Sequence, residues 1–259
     1  MGRQMAGWGY SHALRAVVLA WGMAWFGPAT VLTAGPLDSS EPFGLSTSAL
    51  SFGGLREKWR DLERKLDDER VQLALCDGDR ERCVSPAALQ FLAIVDTARS
   101  REGRARLGEI NRAINLAVRP MSDLAQYGVA DVWSSPLATF GSGAGDCEDY
   151  AIAKFAALRH AGVAPDDLRI VIMHDTVRDE DHAVAAARLE GHWLMLDNRR
   201  MAMIEDADVR NYRPTFVIDQ RGVMQYVDAP LLASLPGHDP APSAAANAAA
   251  QPGLISPSN

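Results

Sequence analysis

The sequence predicts an α+β fold, with helices in the amino-terminal half and an antiparallel sheet after them. Apolar residues recur at helical spacing up to Val118, and from Leu168 onward they fall in short extended runs separated by glycine turns. Size supports one core. With 259 residues, 47% hydrophobic and 23% charged, the chain has the balance of a globular protein, which excludes chain-long disorder and a fibrous architecture.

Residues 1–34 hold Arg3 and Arg15 and no acidic residue, then an apolar run over 16–26 and small residues over 29–34. That order is the pattern of an export signal cleaved between 33 and 35. A membrane anchor is the competing reading, because positions 16–37 give 22 uncharged residues, but Gly27 and Pro28 would interrupt a spanning helix. Nothing after residue 34 approaches a second span, so no direct membrane insertion of the mature protein is expected. The formal charge of -7, from 26 Lys and Arg against 33 Asp and Glu, becomes about -9 once Arg3 and Arg15 are removed. A chain with no basic excess has no nucleic-acid partner to expect.

Residues 35–54, rich in Ser, Gly and Pro, read as an exposed lead-in, and 55–235 as the folded domain. Leu55, Trp59, Leu62 and Leu66 place one apolar face on a helix over 55–75. Cys76 and Cys83 bracket a turn-rich loop of six residues, a span that a disulfide can close in an oxidising compartment. Ser85 and Pro86 cap and open a helix to about 99, and another runs over about 104–118 before Pro120. Extended runs follow at 168–173, 182–189, 192–196, 215–218 and 223–227, with Gly191 and Gly222 at hairpin turns. The Pro, Ala, Ser and Asn bias of 236–259 predicts a disordered tail.

Three cysteines are too few for a disulfide scaffold, and an odd number leaves at least one thiol without a partner in the chain. Cys147 follows a flexible stretch over 141–145 and the N-cap Asp146, so it falls in the first turn of a helix that Gly162 closes. Unpaired N–H groups and the helix dipole there favour thiolate and can help hold an oxyanion. A cysteine so placed can equally be inert packing, so a base has to be found.

His182 and Asp197 meet that requirement through strand register. A hairpin turning at Glu190 and Gly191 sets Asp197 opposite Val184, two residues from His182, so imidazole and carboxylate become diagonal neighbours on one face. A Cys-His-Asp relay needs thiolate attack, proton transfer by the ring and a carboxylate that fixes its tautomer. His160, His174 and His192 fit that role less well, and a zinc site from His174, His182 and His192 lacks the close spacing of a ligand pair.

Asp146, Glu148 and Asp149 surround Cys147, and their charges oppose thiolate formation. Two accounts stand side by side. Acidic residues are favoured in a first helical turn. Alternatively, Asp146 and Glu148, with Asp149 the third candidate, supply hard oxygen ligands for a divalent cation such as Ca2+.

Residues 145–151, Gly-Asp-Cys-Glu-Asp-Tyr-Ala, with His-Ala-Val at 182–184 and Leu-Asp-Asn at 196–198, resemble the bacterial transglutaminase-like cysteine proteinases. Asp-Val-Trp-Ser-Ser-Pro at 131–136 and the pairs Ile110, Asn111 and Ile114, Asn115 extend the likeness over about 55–228. The resemblance implies a papain-like, transglutaminase-like fold with a helical N-terminal half packed on an antiparallel β-sheet. It implies a periplasmic enzyme with Cys147, His182 and Asp197 as triad and calcium needed for activity, Asp146 and Glu148 matching the family's calcium positions. Members of this kind cut a large surface adhesin near its amino terminus, at a pair of alanines, which releases it and disperses biofilm. Sequestration by an inner-membrane cyclic di-GMP receptor with a periplasmic domain is the implied regulation. Ala185 to Ala187 replace bulkier residues usual after His-Ala-Val, and the alanine-rich tail is a second departure.

Two other functions use the same residues. Acyl transfer to an amine needs only a different second nucleophile. A non-catalytic calcium-dependent binding module would leave Cys147 merely packed. The export reading predicts that protein recovered from outside the cytoplasm begins between residues 34 and 36; an intact-mass measurement that still includes Arg3 and Arg15 contradicts it.

Overall fold

The structure, a computed structural model, describes residues 41–232. The expected export signal, the start of the lead-in and the 236–259 tail lie outside the described residues. In chain order the elements are β1 (Thr47–Ala49), α1 (Gly54–Gly78), α2 (Pro86–Arg99), α3 (Gly103–Ala117), β2 (Arg119–Pro120), α4 (Asp123–Tyr127) and α5 (Pro136–Ser142). There follow β3 (Ala144–Gly145), α6 (Cys147–His160), β4 (Leu168–Asp175), β5 (Glu180–Leu189), β6 (His192–Leu196), β7 (Ile204–Glu205), β8 (Tyr212–Asp219) and β9 (Gly222–Tyr226). The predicted α+β order is present: α1 to α6 precede every strand of the main sheet except β1.

That sheet has seven antiparallel strands in the order β1-β9-β8-β4-β5-β6-β7, and the short β2 and β3 pair in parallel beside it. One face packs on the helices: Leu168, Ile170, Ala183, Ala185, Ala187, Leu194 and Leu196 share a core with Phe91, Ile110, Ile114 and the apolar residues of α6. Alternation puts Val171, Met173, Val184, Ala186, Trp193 and Met195 on the other face, in a second, smaller core. Ala185 and Ala187 face α6, which lies directly against β5 and leaves room for methyl groups only, while Ala186 packs in the second core.

Ser85 caps α2 by accepting from the Ala88 amide, with Pro86 in the first turn. Cys76 and Cys83 form a disulfide that ties the end of α1 to the loop before α2. At the β5–β6 turn Glu190 and Gly191 take φ of 53° and 86°, the left-handed pair that a tight two-residue hairpin requires.

Within 41–54 the last four residues are exposed, but the earlier ones are tied into the fold. Glu41 and Pro42 are buried, and β1 adds to the sheet edge through Thr47↔Tyr226 and Ala49↔Met224. Glu41 receives a bidentate pair from buried Arg169, at 2.6 and 3.0 Å, and Arg221 joins it at 3.1 Å. Asp219 stands 3.6 Å from the same guanidinium, and the Trp193 ring faces it at 5.2 Å. Short, Ser- and Thr-rich edge strands have little apolar periodicity, so composition alone points to a loop there. Glu41→Ala leaves a buried guanidinium short of a partner and should cost about 2–4 kcal/mol of stability, read by urea denaturation; a loss within 0.5 kcal/mol or so would mean the segment is not anchored.

Candidate active site

Helix α6 places the first functional side chain. Residues from Asp149 to Leu158 are all buried, so the helix is enclosed on every side and its start cannot drift. Its acidic first turn (Glu148, Asp149) and basic last turn (Arg159, His160) both suit the dipole. Cys147 opens the helix as a half-buried free thiol. Its Sγ donates to Glu148 Oε2 at 3.2 Å and lies within reach of the Ala183 backbone N–H. Burial, then the neighbouring Glu148 and Asp146 charges, push the thiol well above its ordinary range, while the Ala183 amide works in the opposite direction.

The hairpin supplies the other two. Ala185 faces Leu196, the register expected from the Glu190 and Gly191 turn, and β6 ends there. Residues 180–184 of β5 are therefore paired with β4 but have no β6 neighbour. Into this open edge His182, fully buried, directs Nε2 at Asp197 Oδ1 over 2.9 Å. Its other nitrogen, Nδ1, is buried without a hydrogen-bond partner, and the Tyr212 ring lies 6.0 Å from the imidazole. Burial acts to raise the Asp197 pKa, but the His182 hydrogen bond, the Arg199 amide at 2.9 Å and the nearby Lys154 charge leave it lowered. Asn115 holds the Asp197 carbonyl at 3.0 Å, and Asn111 holds those of Arg200 and Met201.

Among the described residues, one group brings three potential metal-ligand atoms within 4.8 Å of one another, and it consists of Asp123, Asp146 and Glu148. The His174, His182, His192 grouping does not come together: His174 faces Asp179 and Asp181, and His192 faces Glu205. Asp123 is buried in the first turn of α4, with Oδ2 accepting from the Val132 amide. Its Oδ1 and Asp146 Oδ1 are buried without partners. Burial raises both Asp146 and Glu148; the Glu148 hydrogen bond partly offsets the rise of Asp146, the Asp123 charge adds to it, and Asp146 in turn pushes Glu148 up further. Two orphaned carboxylate oxygens beside a third acid form a donor set that fits a hard divalent cation.

Asp149 is not part of that set, in contrast to its sequence placement. It turns away beneath the loop, accepting from the Ser134 amide at 2.8 Å, and burial raises it to about 7. Gly145 is the counterpart of that position: a Cβ there would lie 2.7 Å from the Asp149 side chain. Asp123, the missing third acid, sits 23 residues before Asp146, behind an ordinary Ser122 cap, with nothing local to mark it.

Part of this arrangement lines one cleft of about 870 Å³, with Asp197 behind the His182 ring. Cys147, Glu148, His182 and Asn198 lie along it, Leu55, Trp133, Ile172 and Phe216 give it apolar walls, and the Lys58–Asp131 ion pair crosses its rim. Thiol, imidazole and paired carboxylate in one groove are an arrangement able to carry out acyl chemistry.

A family model described as bacterial transglutaminase-like cysteine proteinase BTLCP matches residues 72–221. Among solved structures, LapG of Legionella pneumophila is similar at 22% identity and a TM-score of 0.50, over 60% of this chain and 86% of that one. An EGTA-treated form of the same protein gives 22% identity and 0.50, over 60% and 84%. A calcium-bound form gives 23% and 0.49, over 57% and 82%. No curated protein sequence matches. The family match and the two likenesses at 0.50 place the chain in the transglutaminase-like fold.

Asp149, outside the acidic set, has a pH signature of its own. Its pKa rises from 3.8 unfolded to about 7 folded, so between those values the folded chain binds more protons and stability falls as pH rises. In chelator, thermal melting should drop across this window, and Asp149→Asn should flatten the slope; an equally steep slope in that variant would assign it elsewhere.

Proposed function

Because the chain belongs to the bacterial transglutaminase-like cysteine proteinases, we propose that it is a calcium-dependent periplasmic endopeptidase that hydrolyses its substrate through an acyl-enzyme. The observation that carries this reading is the His182–Asp197 pair at 2.9 Å, whose remaining ring nitrogen is unpartnered in the cleft shared with Cys147.

Cys147 attacks the scissile carbonyl and is held by the enclosed start of α6. His182 takes the thiol proton at Nδ1 and delivers it to the leaving amine, while Asp197 accepts from Nε2–H and fixes that tautomer. The Cys147 backbone N–H, at a helix position with no intrahelical acceptor, faces the developing oxyanion. The Ala183 amide stabilises negative charge on sulfur. Asp123, Asp146 and Glu148 would hold calcium, which when bound supplies positive charge beside the thiol and offsets the carboxylates that oppose its ionisation.

Substrate, location and regulation come from the sequence resemblance. The substrate is the amino-terminal region of a large surface adhesin, cut to release it and disperse biofilm. The export signal over 1–34 supports the periplasm, and no helix among the described residues is long and apolar enough to cross a membrane. The regulator is an inner-membrane cyclic di-GMP receptor that sequesters the protease through its periplasmic domain.

Incubating the mature protein with amino-terminal fragments of candidate adhesins, with and without calcium, tests these points together. Cleavage should require calcium, stop in excess chelator, and fall about a thousandfold or more in Cys147→Ala and His182→Ala. Undiminished cleavage by Cys147→Ala, or alkylation of Cys147 no faster than of a free thiol, would end the enzyme reading.

A further inference from the structure

Lys154 is wholly buried two turns along α6 from Cys147, among Ala151, Ile152, Phe155 and Leu158. Its Nζ donates to the Leu196 carbonyl at 3.1 Å and stands 5.6 Å from the Tyr150 ring. Leu196 ends β6, and Asp197 follows it. An ammonium ion withdrawn from water is costly unless an anion faces it, and a Leu or Met here would fill the same space without that cost. A stability role therefore gives no reason for a lysine.

Resting on the triad reading above, we propose that Lys154 is a positioning residue that spans from the helix bearing Cys147 to the strand end bearing Asp197, fixing that carboxylate against His182 and keeping it ionised. The charge interaction is mutual. Burial brings the Lys154 pKa down to about 7 while Asp197 opposes the fall, and Lys154 is among the groups that lower Asp197. The groups acting on Asp197 come from three elements: His182 on β5, the Arg199 amide in the following loop and Lys154 on α6. Tyr212 on β8 also faces the His182 ring.

The test follows the His182 ring and the Lys154 side chain against pH by NMR in the full mature chain, for wild type, Lys154→Met and Asp197→Asn. Lys154→Met should melt no lower than wild type, because an apolar replacement removes a buried charge. Its His182 midpoint should rise by about half a pH unit, since a cation beside the pair is gone and imidazolium is favoured. Asp197→Asn should lower the Lys154 midpoint, by removing the facing anion, and lower that of His182 as well. A folded Lys154→Met with an unmoved His182 midpoint overturns the proposal. If that variant does not fold, an unmoved Lys154 midpoint in Asp197→Asn overturns it instead. An unmoved His182 midpoint in Asp197→Asn is a different failure, which removes the His182–Asp197 pairing of the triad reading.

Discussion

Burial of α6 on all sides is the constraint on which the site depends. A helix enclosed by the sheet, α2, α3 and α5 has one allowed position along its axis, so its first residue is placed by packing and not by the loop before it. Cys147 inherits that placement. The side chains that tie the helix to its surroundings are polar ones at its edges: Tyr150 donates to the Val118 carbonyl and Lys154 to that of Leu196. Both acceptors lie at the ends of neighbouring segments, where backbone carbonyls lack a regular partner.

His182 and Asp197 belong by alternation to the sheet face away from α6, since Val184 and Met195 pack in the second core. Cys147 stands on the helix side, with Ala183 and Ala185 beneath it. A continuous sheet would separate the two sets. The early end of β6 removes that barrier, because residues 180–184 of β5 run as an edge on that side and the loop after Leu196 folds back under the Asn111 and Asn115 clamp. The same edge frees the Ala183 amide to face the sulfur. Cys147 and His182 therefore line one cleft where the sheet is locally one strand narrower.

Much of this was legible in the sequence because it follows from short-range rules. The Glu190 and Gly191 turn fixed the β5–β6 register, and register alone brought His182 to Asp197. The Ser85 cap, the 76–83 loop and the start of α6 were equally local. What was not legible depends on distant packing. Asp149 shares a helical turn with Cys147, and one turn's sequence does not tell which acid faces the cleft and which goes under the loop to Ser134. Asp123 reaches the cluster only through the fold of 119–145, where the short β2 and β3 pair. Lys154 sits in an otherwise apolar helical pattern, and Glu41 in a Ser- and Gly-rich lead-in, so neither signals burial until its partner arrives from another element.

The electrostatics of the cleft then separate into two halves with opposite needs. On the Asp197 side, charge is balanced: His182, the Arg199 amide and Lys154 lower the carboxylate despite burial. On the Asp146 side it is not, since burial raises Asp146 and Glu148, the Asp123 charge adds to the rise of Asp146 and Asp146 to that of Glu148, and Glu148 accepts a hydrogen bond from the Cys147 thiol. Protons could neutralise the cluster and so lift its repulsion of a thiolate, but they would add no positive charge beside the sulfur. A divalent cation held by Asp123, Asp146 and Glu148 would answer both problems at once, giving the orphaned oxygens a partner and supplying positive charge next to Cys147. The imbalance of one half is thus the physical reason to connect cation binding to nucleophile activation, and the balance of the other is why His182 and Asp197 can be preset in its absence.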